Sequence, residues 1–88
     1  MKIVITKQFA KDVSKELDKP TQLLLADIIE KIQQADSLIE IQNLKKLSGH
    51  KSAFRIRLGN YRIGFLLEDN IIKLSRILNR KDIYKFFP

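Results

Sequence analysis

The spacing of apolar residues changes along this chain, and each change marks an element. Residues 2–6, Lys-Ile-Val-Ile-Thr, are apolar and β-branched, which predicts a buried strand. From Lys7 to Asp18 the apolar positions Phe9, Ala10, Val13 and Leu17 follow the stripe of an amphipathic helix, with Thr6 placed to cap it. Pro20 interrupts that run. A second stripe, Leu24, Leu25, Ile28, Ile29 and Ile32, predicts a helix over 21–35 that starts at Pro20, where a missing N–H costs nothing. Two helices so closely joined form an αα-hairpin. Residues 36–53 hold no sustained period and read as a crossing loop, pinned to the core by Leu38, Ile41, Leu44 and Leu47.

Beyond Ser52 the period becomes two. Phe54, Ile56 and Leu58 alternate with Arg55 and Arg57, Gly59-Asn60 supplies a two-residue turn, and Tyr61, Ile63, Phe65 and Leu67 resume the alternation. Glu68-Asp69-Asn70 makes a second turn before a third strand over 71–78, and the end, from Arg80 onward, reads as a short helix or an extended tail. The order β-α-α-β-β-β predicts an α+β fold: a small, mostly antiparallel sheet with a helical hairpin on one face and the other face partly open.

The two-residue turn also fixes a register. Arg57 must face Arg62, and Arg55 must face Gly64, so Arg55, Arg57 and Arg62 share one side while the apolar set takes the other. Like charges directly opposed across strands destabilise a sheet, so this pairing breaks a folding rule, and such breaks concentrate at functional sites. Gly64, lacking a side chain, leaves room for a ligand opposite Arg55. The only acids in the second half of the chain are Glu68, Asp69 and Asp82.

Composition narrows the choice. At 88 residues, with 44% hydrophobic and 31% charged residues, 3 Gly and 2 Pro, residues 1–88 form one packed domain. The absence of cysteine excludes disulfides and thiolate zinc sites, and the single histidine, His50, argues against an imidazole metal site. No apolar run approaches the ~18 residues of a membrane span or the length of a signal-peptide core, so no membrane partner and a cytoplasmic location are expected. Residues 1–44 carry six basic and seven acidic groups, a net −1, whereas residues 45–88 carry eleven and three, a net +8. Charge so concentrated points to a polyanion, and arginine forks suit phosphate oxygens. Asp12, Glu16, Asp27 and Glu30 read as solvated charges on the helices.

The run Leu47, Gly49, Phe54-Arg55-Ile56-Arg57-Leu58, Gly59-Asn60-Tyr61-Arg62, followed by Arg80-Lys81 and Tyr84, resembles the second half of the RelE/ParE superfamily of toxins from bacterial type II toxin–antitoxin systems, and the leading strand and helical hairpin fit as well. The resemblance implies a RelE-like fold and a metal-independent endoribonuclease, without cofactor, that enters the ribosomal A site and cuts mRNA there. The ribose 2′-hydroxyl is the nucleophile, a cyclic phosphate is left, and a cognate antitoxin wraps the toxin. Carried onto the matching positions, it implies catalytic roles for Arg57, Arg62, Arg80 and Tyr84 and a phosphate-holding role for Arg55, while Lys45, Lys46, Lys51 and Lys81, from the basic half of the chain, are expected to bind RNA beside them. The chain departs from the pattern at Arg55 and Arg57, which are lysines in the best-known RelE-type members. Arginine, with a pKa above about 12, is a poor proton acceptor. Two alternatives stand beside this reading: a ParE-like inhibitor of DNA gyrase, and a non-catalytic relative that binds only antitoxin and nucleic acid.

Overall fold

The computed structural model describes residues 1–88. The chain runs through β1 (Lys2–Ile5), α1 (Lys7–Glu16), α2 (Lys19–Gln34), a 3₁₀ turn (Leu38–Glu40), β2 (Leu44–Lys46), β3 (Ala53–Leu58), β4 (Tyr61–Glu68), β5 (Ile71–Asn79) and α3 (Ile83–Phe86). The strands form one sheet in the order β1-β5-β4-β3-β2, with β1 parallel to β5 and every other pair antiparallel. The α+β expectation holds, with one strand added. At three residues, β2 is too short to display a period, and it forms because its edge pairs with β3 inside what reads in sequence as loop.

Local signals account for the helix ends. The Thr6 hydroxyl accepts from the Phe9 N–H and donates to the Leu74 carbonyl, so one side chain caps α1 and ties it to β5. Asp18 caps α2 by accepting from the Thr21 N–H at 2.9 Å, which places Lys19 ahead of Pro20 in the first turn. Leu24, expected in the core stripe, is 56% exposed, and the α2 face that packs is carried by Leu25, Ile28, Ile29 and Ile32. Phe9 of α1 and Leu17 at its C-cap join them against Phe54, Ile56, Ile63, Phe65, Ile72, Leu74 and Ile77 of the sheet. Phe54 and Phe65, opposed across β3 and β4, stack with centroids 5.3 Å apart.

The second face is less open than the pattern suggests. Leu47, Ala53, Leu78, Ile83 and Phe87 form a smaller core there, built by the C-terminal segment folding back over the sheet. Gly64 is the contact point: a Cβ at this position would lie 2.5 Å from Cδ2 of Phe87. The space that Gly64 opens is thus taken by the chain's own phenylalanine rather than left for a ligand.

Asp12 also departs from expectation. It is 4% exposed rather than solvated, because β1 ends at Ile5 and α1 lies along the unpaired remainder of β5. Its carboxylate accepts the Ile77 N–H at 3.1 Å, Arg76 Nε at 2.7 Å and Nη2 at 3.2 Å, and the Gln8 amide at 3.1 Å. Burial alone would raise its pKa, but the hydrogen bonds from Arg76, Gln8 and Ile77 together outweigh that and hold it below the usual carboxylate value. The Arg76 guanidinium carbon lies 5.5 Å from the ring centroid of Phe86, which links α1, β5 and α3.

Candidate nucleic-acid interface

β3 and β4 pair in the register dictated by the two-residue turn, with Arg57 opposite Arg62 and Arg55 opposite Gly64. Gly59, at φ +58°, supplies the left-handed residue that closes this turn. The next contact decides where the C-terminal residues go. The Arg80 N–H donates to the Asn60 carbonyl at 2.8 Å, drawing the end of β5 against the β3–β4 turn. Arg80 is therefore carried to the arginine end of the sheet, a placement that alternation alone did not determine. Tyr84 follows on α3 and is 56% exposed.

Arg62 registers the whole cluster. Its pKa lies below the ordinary arginine value, first because burial disfavours the cation, then because Arg55, Arg57 and Arg80 repel it, while Tyr84 when ionised acts the other way. Five groups from β3, β4 and the C-terminal segment thus share one electrostatic site. Arg62 Nη1 donates to the carbonyls of Gly59 at 2.8 Å and Tyr61 at 2.9 Å, leaving Nε and Nη2 with no protein acceptor. Of the five arginines in the chain only Arg76 pairs with a carboxylate, and the acids nearest in sequence, Glu68 and Asp82, pair with Lys73 and Lys85. A cluster of guanidiniums without counter-ions has the chemistry to take a phosphate, which would replace mutual repulsion with bidentate attraction.

The lysines divide. Lys45 is opposite Arg55 across β2 and β3 and extends the basic row. Lys46 is opposite Phe54, which faces the helices, so its side chain leaves from the other side of the sheet. Lys51 is exposed in the loop before β3, at the end remote from the turn, and Lys81 is exposed beside Arg80. Lys46 and Lys51 therefore lie apart from the cluster, while Lys45 and Lys81 adjoin it. Sequence reading missed Asn43: its carbonyl accepts from Arg55 Nη1 at 3.0 Å and its Oδ1 from Arg57 Nη2 at 3.3 Å. His50 is exposed in the loop before β3, and no group of three or more acidic or histidine side chains is placed to hold a metal.

No family model matches the chain. A direct relative does: it is 38% identical over 89 residues to Toxin RelE3 of Methanocaldococcus jannaschii, covering 100% of both proteins. The chain belongs to the RelE toxin family. The RelE fold is also seen in the RelB–RelE antitoxin–toxin complex from Methanococcus jannaschii, which matches 97% of this chain and 99% of the solved one at a TM-score of 0.80 and 36% identity. An archaeal RelE–RelB complex from Pyrococcus horikoshii matches 90% and 93% at a TM-score of 0.73 and, at 24% identity, attests the fold alone. In this RelE family member the basic cluster is built on the two central strands and closed by the segment after β5.

Proposed function

We propose that this chain is the toxin of a type II toxin–antitoxin pair and that it cuts mRNA on the ribosome without a metal ion. The observation that carries the reading is the gathering of Arg55, Arg57, Arg62, Arg80 and Tyr84 on one face with no carboxylate among them. Arg57 and Arg62, opposed at the turn end, grip the scissile phosphate, and Arg55, Arg80 and Lys45 hold its neighbours. Tyr84, as its phenolate, accepts the proton of the ribose 2′-hydroxyl and orients that oxygen for attack. The 2′-oxygen then attacks phosphorus, the bond to the 5′-oxygen breaks, and that oxygen takes up a proton from water, leaving a 2′,3′-cyclic phosphate and a 5′-hydroxyl. The growing negative charge meets guanidiniums already fixed in place, the form of catalysis that mutagenesis finds largest. Family membership and the antitoxin-bound state of a solved relative support a cognate antitoxin, and an acidic segment of it laid on this face would neutralise the basic charge and mask the site.

The test is a reconstituted translation reaction with one defined mRNA, new 5′ ends mapped by primer extension, beside a ribosome-free control and a Tyr84→Phe variant. Cuts are expected at codon spacing, only with ribosomes, and slowed about 10²–10⁴-fold in the variant. Intact mRNA together with inhibition of purified DNA gyrase would replace this reading with the ParE-like one. Inertness in both assays would leave a non-catalytic relative.

A further inference from the structure

Asn43 is the only residue that hydrogen-bonds two arginines of the cluster. Its φ is +62°, in the left-handed region that asparagine tolerates better than most side chains. In that conformation, just before β2, both of its oxygens are directed at β3. The carbonyl accepts the Arg57 N–H at 3.1 Å and Arg55 Nη1 at 3.0 Å, and Oδ1 accepts Arg57 Nη2 at 3.3 Å. Arg55 and Arg57 leave the same face of β3 two residues apart, so without such a partner their forks would swing away from each other. The acceptors are neutral. They fix direction without cancelling charge, whereas a carboxylate in the same place would neutralise part of the field that draws in a phosphate.

We infer that Asn43 is a positioning residue, an uncharged clamp that aims the forks of Arg55 and Arg57 at the RNA phosphate; the identity of that phosphate rests on the proposed function. Glycine keeps the left-handed backbone and the carbonyl bonds but removes Oδ1, so Asn43→Gly isolates the side-chain contact to Arg57. Aspartate keeps an acceptor at the same atom and adds a charge.

The experiment compares the parent with Asn43→Gly, Asn43→Asp, Arg57→Ala and the Asn43→Gly/Arg57→Ala double variant. Three quantities are read: thermal melting, the ¹⁵N order parameter of the Arg57 Nε–H, and single-turnover mRNA cleavage on programmed ribosomes. Asn43→Gly is expected to melt within a few degrees of the parent, to bring the Arg57 order parameter below about 0.6, and to slow cleavage about ten-fold with KM held within about two-fold. It is expected to add nothing on the Arg57→Ala background. Asn43→Asp should restore the Arg57 order while raising KM. An Arg57 that stays ordered in Asn43→Gly, or a full second loss on the Arg57→Ala background, would overturn the clamp. A parent that cuts no mRNA, with Arg57 still losing order in Asn43→Gly, would overturn the ribonuclease reading and uphold the clamp.

Discussion

Replacing Asp12 with asparagine removes the charge from a carboxylate that is 4% exposed and accepts four hydrogen bonds, three of them from Arg76 and the Ile77 N–H. Breaking a buried ion pair by changing one partner costs about 3–5 kcal/mol, since the other charge is left uncompensated. The lower end applies, because the Arg76 side chain keeps 23% exposure and can turn toward water. A loss of about 3 kcal/mol, at a urea slope of about 1 kcal/mol/M for a chain this short, moves the unfolding midpoint down by about 3 M. The pH dependence gives a second check. The pKa of Asp12 is lower in the folded state than in the unfolded chain, so its contribution is complete above the unfolded value of about 3.9 and fades as pH falls through the folded one. Urea midpoints at pH 7 and pH 3 should therefore differ more in the parent than in Asp12→Asn. A midpoint shift below about 0.5 M at pH 7, or an equal pH response in the two proteins, would refute the argument that this pair holds α1 on the open part of β5.

Other outcomes follow from the cluster. Arg62→Ala should slow mRNA cleavage at least about 100-fold, the scale of a lost transition-state donor, and should leave urea stability unchanged or raised, because a cation opposed by Arg57 is removed. RNA binding should weaken with salt at a log–log slope of about −3.5, taking five contacts from Arg55, Arg57, Arg62, Arg80 and Lys45 at about −0.7 each for a single strand. Titrating binding in Lys45→Ala and Lys46→Ala separates the two faces of the sheet: the slope should flatten only in the first. Gly64→Ala would put a methyl group 2.5 Å from the Phe87 ring, and the expected displacement of α3 should depress cleavage and reduce thermal stability together.

The register was the most legible part of the fold, because a two-residue turn and strict alternation leave a single pairing. Pairing alone puts three arginines on one face. The short strand β2 was not legible, since three residues carry no period, and with it went Asn43, whose role needs a left-handed backbone as well as its amide oxygen. Asp12 looked like a solvated helix charge because its partner, Arg76, is 64 residues away. The hollow at Gly64 was visible as a missing side chain, but its occupant was not, because nothing local states where Phe87 will fold. Arg80 lay between these cases. Its approach to Arg62 depends on one backbone hydrogen bond to Asn60, which pattern cannot predict.

The Gly59-Asn60 turn has a consequence for how such a protein can change over generations. Core and cluster are written in alternate letters of the same strands, so a substitution alters one contact while leaving the rest in place. Inserting or deleting a single residue within β3 or β4 exchanges the two sets along the remainder of that strand, sending guanidiniums into the core and isoleucines into water. Inheritance through this stretch is therefore expected to proceed by exchange of residues at constant length, with changes in length collected in the loop between β2 and β3 or beyond α3, where no strand counts them.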